Sequence, residues 1–197
     1  NNNKIIPGYD FVNEDYDTSD DNSHGTYISQ ILKSPDSGLP LTDAEIYAVK
    51  VLDGLGEGYA SDVIEGINWA IDNNIDIILM SFGGEHDSLF LKETIQEANN
   101  NGMLIIAAAG NENSDEITYP ARYEEVIGVG SVNENLERSD FSNYGEDLDF
   151  CYRLKEKGWN IYYVPTAFVL HYKGVSHGMK KHSKDISTAD EATRKKV

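Results

Sequence analysis

Two polar side chains, His24 and Asn111, are of types that can do chemistry, since an imidazole can transfer a proton and an amide can donate to a carbonyl oxygen. His24 follows the polar run of residues 21–23 at the start of a predicted helix. Asn111 follows the apolar run of residues 105–109, so its amide is expected at the carboxyl end of a strand, where open parallel sheets keep their sites. Taken alone, a histidine is more often structural than catalytic, and the asparagine is also a common turn residue.

A glycine-rich loop follows another apolar run, with Gly54, Gly56 and Gly58 at alternate positions. Such a loop after a strand is one feature of dinucleotide-binding sites. Glu57 would face the phosphates there, and no basic residue is nearby. The sequence therefore disfavours a dinucleotide.

The elements that must position these residues follow from the hydrophobic periodicity. Runs rich in Val and Ile, with little polar alternation, predict strands buried on both faces at residues 44–52, 75–82, 103–110 and 126–132. Residues 61–73 and 89–101 place their apolar side chains on one helical stripe, and Gly102 is expected to end the second helix. This alternation predicts an α/β fold, with a parallel sheet and helices on both faces.

Six blocks of sequence resemble, in their order, those of the subtilisin-like serine proteases, the S8 peptidases. They are GYDF (8–11), NSHGT (22–26), YAVKVL (47–52), MSFGG (80–84), AAAGNE (107–112) and FSNYG (141–145). The resemblance covers about residues 1–149 and implies an incomplete subtilisin-like fold. Residues 1–145 are accordingly expected to form a truncated peptidase domain that acts on a peptide or protein substrate.

The resemblance also implies roles for single residues. His24 matches the general base, which takes a proton from a serine hydroxyl and returns it to the leaving amine. Asn111 matches the side-chain donor to the oxyanion. Two further stretches match the edges that hold a substrate peptide in extended form, namely Gly54, Gly56 and Gly58 on one edge and Ser81, Phe82 and Gly83 on the other.

Two parts of the catalytic triad are missing from the sequence. The family carries its Asp in an Asp-Thr-Gly or Asp-Ser-Gly block well before the histidine. Only Asp17 is similar, and it lies too close to His24 for a strand and a crossover to intervene. No Gly-Thr-Ser block with a nucleophile follows Asn111. The chain is therefore expected to be inactive as it stands, and a noncatalytic peptide-binding module is an alternative.

A second resemblance begins near the end of the first. Residues 144–197 resemble the C-terminal segment of a family 2 glycosyltransferase of the rhamnosyltransferase-like kind, through GEDLDFCYRL (145–154) and HYKG (171–174). It implies a base at Asp147 and a metal-holding His171. Residues 146–197 are then a transferase-like fragment, read as a helix over 146–157, an extended segment and a tail. The hypothesis is that parts of two genes join near residues 144–150.

Charge divides the chain at the same place. The formal net charge is -18, but residues 1–150 hold six Lys and Arg against thirty Asp and Glu, whereas residues 151–197 hold ten against four. The acidic balance excludes nucleic acid as a partner, and no apolar stretch is long enough for a membrane span. The single cysteine, Cys151, cannot form an internal disulfide, and the compartment stays unknown.

The acidic stretch near the start is the one candidate for a cofactor. Its oxygens suit calcium, a hard cation that family members often bind, and a merely solvated loop is equally compatible with the sequence. Apart from the metal that the transferase resemblance implies at His171, no other metal or cofactor is predicted. The residues concerned are Glu14, Asp15, Asp17, Asp20 and Asp21.

Overall fold

Strands and helices alternate along the chain in a computed structural model, which describes residues 5–33, 45–131 and 138–143. Up to Gly66 the described residues belong to one compact unit, and from Ile67 onward to a second. The elements are β1 (Ile5–Asp10), α1 (His24–Lys33), β2 (Ile46–Lys50), α2 (Ala60–Asp72), β3 (Ile77–Met80), α3 (Leu89–Asn100), β4 (Leu104–Ala108) and β5 (Val126–Val129). The predicted α/β class, with parallel strands and intervening helices, is confirmed.

The first unit contains a two-stranded parallel sheet of β1 and β2. Ile5 pairs with Ile46 and Asp10 with Lys50, and the register shifts between Pro7 and Asp10. The sequence analysis predicted β2 but did not identify β1 as a strand. Pro7 and the glycine after it are poor strand residues, because proline gives no ladder hydrogen bond and glycine packs no side chain.

The second unit contains a three-stranded parallel sheet in the order β3-β4-β5. Helix α3 packs against β4, and the interior between them is apolar. Ile95 and Ala98 of the helix are fully buried, and Ile105 and Ala107 of the strand are each 1% exposed. The three predicted strands and both predicted helices, α2 and α3, are present, each shorter than predicted or shifted by a residue.

The two faces of this sheet differ in exposure. Paired residues of parallel neighbours share a face, and the register places Met80, Ala107 and Val126 on the buried one. The sequence predicted strands buried on both faces, yet no residue of the opposite face is buried in the described part of the chain. We call this the open face; its residues are Ile77, Leu79, Leu104, Ile106, Ala108, Ile127 and Val129.

Helix α3 shows how local sequence sets helix ends. Ser88 caps its amino end, where the hydroxyl accepts from the N–H of Leu91 at 3.4 Å. At the other end Gly102 has φ +85°, and its N–H and that of Met103 bond back to the last turn. The prediction that Gly102 ends this helix is confirmed. None of the described helices has the length and apolarity needed to cross a membrane.

Candidate functional site

His24 is the first residue of α1, and an upstream carboxylate holds it there. Asp20 accepts hydrogen bonds from the N–H groups of Asn22 at 3.0 Å, Ser23 at 2.7 Å and Thr26 at 2.7 Å. Ser23 takes the left-handed conformation, with φ 82°. The sequence analysis placed the cap-like group at residues 21–23, but the capping oxygen comes from Asp20. His24 is thereby set at a helix start, as predicted.

These hydrogen bonds also fix the charge state of the capping group. Burial by itself raises the pKa of Asp20, but the bonds from Thr26, Asn22 and Ser23 outweigh it and hold the pKa below its ordinary value. The carboxylate is therefore ionised near neutral pH, where a negative charge at a helix amino end is favourable.

Lys50 is shared between the buried Asp10 and the half-exposed Asp21, and so joins the segment before His24 to the sheet of the first unit. Lys50 Nζ lies 3.0 Å from Asp10 Oδ2 and 2.9 Å from Asp21 Oδ2. Asp10 has no exposed surface, and it also accepts from the N–H groups of Val12 and Asn13 at 2.8 and 3.0 Å. Burial opposes ionisation, yet the bonds from Asn13, Lys50 and Val12 keep the pKa of Asp10 below its ordinary value.

The predicted glycine loop lies beside the same segment. Asn22 donates its amide N–H to the carbonyl of Gly54 at 3.1 Å. Asp53 accepts from two N–H groups of the loop, those of Leu55 and Glu57. Gly56 has φ 79°. The first unit thus brings the His24 segment and one predicted substrate edge into direct contact.

Gly58 closes this loop against the end of β2. A Cβ at this position would overlap the carbonyl oxygen of Val51 and the side chain of Leu52. Any larger residue would force the loop away from the strand. Glycine at position 58 therefore has a steric reason in this fold that involves no bound nucleotide.

Asn111 lies in the loop that follows β4, and a buried amide organises that loop. Asn143 is 1% exposed, and its oxygen accepts from the N–H groups of Glu112 and Ser114, both at 3.0 Å. Its nitrogen donates to the carbonyl of Ala109 at 3.2 Å and to Glu112 Oε2 at 2.7 Å. These four bonds use the full capacity of an amide side chain.

The residue before Asn111 must be glycine, because its backbone conformation and the nearby Asn143 leave no room for a side chain. Gly110 has φ +115°, and a Cβ there would overlap the Asn143 amide. Glu112 Oε2 also accepts from the N–H of Asn111 at 2.8 Å. One carboxylate therefore connects the candidate oxyanion donor to the buried amide.

The residues just before Asn143 make further hydrogen bonds that hold the Asn111 loop. Arg138 donates to Asn113 Oδ1 at 3.1 Å and to the carbonyl of Ser142, and the N–H of Asn113 donates to the carbonyl of Phe141 at 3.0 Å. In the sequence, residues 141–145 stand out only as a family block, and that resemblance assigns Asn143 no role. The presence of Asn143 within a family block was the one signal of its role, since a polar residue that is buried must find hydrogen-bond partners.

The predicted edge of Ser81, Phe82 and Gly83 follows β3 directly and meets the Asn111 loop through Thr118. A Cβ at either Gly83 or Gly110 would overlap the Thr118 side chain. Gly84 and Tyr119 then exchange two backbone hydrogen bonds of 2.8 Å each. The second unit thus brings together Asn111 and the second predicted substrate edge.

Three carboxylates of the acidic stretch are already bonded within the protein. Asp20 caps α1 and Asp21 pairs with Lys50, while Asp17 is exposed and bonds to Ser19. Across residues 5–33, 45–131 and 138–143, no group of three or more His, Cys, Asp or Glu side chains is arranged to hold a metal ion. The remaining predicted residues, Asp147 and His171, lie outside the described ranges.

The first unit sets the His24 imidazole at a helix start, in a segment that contacts the loop of residues 54–58. The second unit, taken by itself, sets the Asn111 amide in the loop at the carboxyl end of β4. An imidazole can move a proton and an amide N–H can stabilise an oxyanion.

Comparison with known proteins identifies one family for nearly the whole chain. Residues 1–191 match the Peptidase_S8, or subtilase, family. Over 150 residues the chain is 37% identical to a thermostable alkaline protease of Halalkalibacterium halodurans, covering 74% of this chain and 42% of that protein. It is 36% identical over 154 residues to subtilisin DY of Bacillus licheniformis, covering 74% of this chain and 56% of that protein.

A solved structure agrees with these sequences. A cold-adapted subtilisin-like serine proteinase superimposes with a TM-score of 0.65 at 37% identity, over 72% of this chain and 52% of that one. The chain thus spans about half the length of the relatives it matches. The family match runs through residues 144–191, and these comparisons give no support to a glycosyltransferase segment.

The first prediction concerns the buried amide behind the Asn111 loop. Asn143→Ala removes four hydrogen bonds and leaves the part-buried N–H groups of Glu112 and Ser114 without this acceptor, so the free energy of unfolding should fall by about 3 kcal/mol. Urea unfolding followed by far-UV circular dichroism measures the change. The control Asn73→Ala removes one exposed side-chain bond to the Trp69 carbonyl and should cost less than about 1 kcal/mol. Equal losses in the two variants would contradict the assignment.

The second prediction concerns pH. The lowered pKa of Asp10 means that its ionised form stabilises the fold above its unfolded pKa of about 4, and that this stability is lost as the pH falls through the folded pKa. Asp10→Asn should therefore destabilise the chain at about pH 7, and the difference from the parent should shrink towards about pH 2. Urea unfolding at both pH values tests this, with exposed Asn100→Ala as a control without a titrating group. A difference that does not change with pH would contradict it.

Proposed function

Because the chain belongs to the subtilase family of peptidases, we propose that it is a subtilisin-like serine endopeptidase by lineage that lacks hydrolytic activity as it stands. The observation that carries the assignment to this lineage is where His24 and Asn111 lie in the fold. His24 begins a helix under an acidic cap, and Asn111 sits in a loop fixed by the buried Asn143. Both placements support the roles that the family resemblance implies.

In this proposal His24 is the general base and Asn111 the oxyanion donor. The imidazole would take the proton from an attacking hydroxyl, and the Asn111 amide would donate to the charge that develops on the substrate carbonyl. The Glu112 carboxylate supports the second role, since its bond to the Asn111 N–H restrains the loop backbone. A donor that is already in place needs no reorganisation during the reaction.

The proposed lack of activity rests on two blocks that are not found at their expected places in these 197 residues. No Gly-Thr-Ser block with a nucleophile follows Asn111, and no Asp-Thr-Gly or Asp-Ser-Gly block precedes His24 to supply the carboxylate that orients the histidine. Without them the imidazole has only water to deprotonate. Removal of triad members leaves an enzyme of this kind with a small residual rate at most.

Noncatalytic binding of a peptide is the second candidate, and the two glycine edges favour it. Residues 54–58 follow β2 after a three-residue gap, and Asp53 accepts hydrogen bonds from the N–H groups of Leu55 and Glu57. Residues 81–83 follow β3 directly and lead into Gly84, whose backbone pairs with that of Tyr119. Glycine leaves room for a peptide main chain to approach the backbone closely. An extended peptide would bind there through main-chain hydrogen bonds, as strands do.

The transferase-like reading of residues 144–197, with Asp147 as base and His171 as metal ligand, stays a prediction of the sequence. We carry no activity from it, since the family match to the subtilases runs through residues 144–191 and the comparisons give no support to a glycosyltransferase segment.

Hydrolysis assays test the proposed loss of activity. With casein and a chromogenic peptide, the parent chain and His24→Ala should both release product at the background rate, because the base has no serine to activate. The control His86→Ala changes an exposed histidine outside the proposed site. Turnover that His24→Ala abolishes and His86→Ala preserves would overturn the proposal of an inactive chain.

Fluorescence anisotropy with a labelled extended peptide tests the retained binding. Phe82 lies in one predicted edge, so Phe82→Ala should weaken binding by about fivefold, a typical cost of truncating a contact residue. Phe90→Ala is the matched control, because Phe90 is 71% exposed on α3 and belongs to neither edge. Binding that both variants weaken equally, or no saturable binding by the parent, would count against this candidate.

A further inference from the structure

We propose that Asn101 is a covalent modification site of this chain, where the side-chain amide is lost to the main-chain nitrogen of Gly102 at a rate set by the last turn of α3. The site precedes β4, whereas Asn111 follows that strand. It takes no part in the proposed peptidase chemistry.

The sequence places one chemically labile pair at the end of α3. Asn101 and Gly102 form the only Asn-Gly pair among the 197 residues, and both are exposed. Asparagine is a labile side chain, and a glycine after it has no Cβ to hinder the approach of its nitrogen. Of all the asparagines in the chain, Asn101 is therefore the one most open to attack by its own backbone.

The reaction is a cyclisation followed by hydrolysis. The nitrogen of Gly102 attacks Cγ of Asn101, a new C–N bond forms, the bond from Cγ to Nδ2 breaks, and ammonia leaves with the proton of the Gly102 N–H. Water then opens the cyclic imide at Cγ, which gives aspartate, or at the main-chain carbonyl carbon, which gives isoaspartate. Both products carry a negative charge in place of a neutral amide.

The last turn of α3 keeps the two reacting groups apart. The Gly102 N–H donates to the carbonyl of Asn99 at 2.9 Å, and Asn101 Nδ2 donates to the carbonyl of Glu97 at 2.9 Å. Asn101 has ψ 1°, which turns the Gly102 nitrogen towards the backbone nitrogen of Asn101 and away from its side chain. The ring needs this nitrogen and Cγ on the same side of the Cα–C bond, so it cannot close in this conformation.

The last turn must therefore open before the reaction can occur. Opening breaks the bond from Gly102 to Asn99 and the bond of 3.2 Å from the Met103 N–H to the carbonyl of Ala98. Asn99 is exposed, whereas Ala98 is fully buried, so this turn lies at the boundary between the solvated helix end and the core. The rate of modification is the rate in an open chain multiplied by the fraction of time that the turn is open.

Either product weakens the same turn. A carboxylate cannot donate, so the bond to the Glu97 carbonyl is lost. The new charge lies at the carboxyl end of a helix, where the dipole is also negative, and Asp76 lines the same cavity as Asn101. Isoaspartate further adds one carbon to the main chain between α3 and β4. A single modification therefore favours the open state of the turn that had prevented it.

Peptide mapping by mass spectrometry tests the site on the full chain. During incubation at mildly alkaline pH, Asn101 should lose its amide at least about tenfold faster in concentrated guanidinium than in buffer, because unfolding removes the closed turn. Asn101→Gln should abolish the modification, since the longer side chain would need a larger ring. The matched control Asn100→Gln, at the exposed neighbour, should leave the rate at Asn101 unchanged. Equal rates in buffer and guanidinium, or an equal loss of amide from other asparagines in guanidinium, would overturn the proposal.

Amide hydrogen exchange measures the opening of the turn independently. The protection of the Gly102 N–H should agree within about threefold with the slowing of the modification in buffer, because both report the same opening. Asn101→Asp, which mimics one product, should speed exchange of the Met103 N–H, whereas Asn100→Gln should not. A modification that is slow in buffer while the Gly102 N–H exchanges without protection would overturn the role of the turn. Unchanged exchange in Asn101→Asp would overturn its weakening by the product.

Discussion

The conformation of the loop after β4 depends on the hydrogen bonds of the buried Asn143 side chain. That loop leaves the strand through a glycine with φ +115°, and its part-buried N–H groups at Glu112 and Ser114 need an acceptor. Asn143 supplies the acceptor and also fills the space that a Cβ at position 110 would need. Residues 138–143 are far from β4 in sequence, so the geometry of Asn111 depends on a long-range contact.

In the first unit, charged side chains hold the segment of the candidate site, whereas in the second unit the amide of Asn143 does so. Its acidic stretch looks in sequence like a cation site or a solvated loop, yet two of its carboxylates are occupied by the protein itself. One caps α1 and another shares Lys50 with the buried Asp10. A lysine held between two carboxylates has a raised pKa, mainly through the bond to Asp21. The acidic balance of this part of the chain thus has a structural use in placing His24.

What the sequence predicted was mainly local. Apolar runs indicated β2 to β5, and Gly102 marked the end of α3, because strands and helix ends depend on neighbouring residues. The strand β1 was missed since Pro7 and Gly8 argue against a strand, and only pairing with β2 makes them part of one. The capping oxygen of Asp20 and the bonds of Asn143 were missed because each depends on how the chain folds back. The family blocks identified His24 and Asn111, and neither could have been assigned a role from its own position.

The apolar character of both faces has a consequence for strand alignment. In most sheets a slip of one residue is penalised because it turns polar side chains into the core. In β3 the sequence Ile77 to Met80 is apolar at every position, so hydrophobicity alone hardly distinguishes the observed alignment from its neighbour. The alignment must be fixed at the two ends, by the bond from the Leu104 N–H to the Asp76 carbonyl and by the paired backbones of Gly84 and Tyr119.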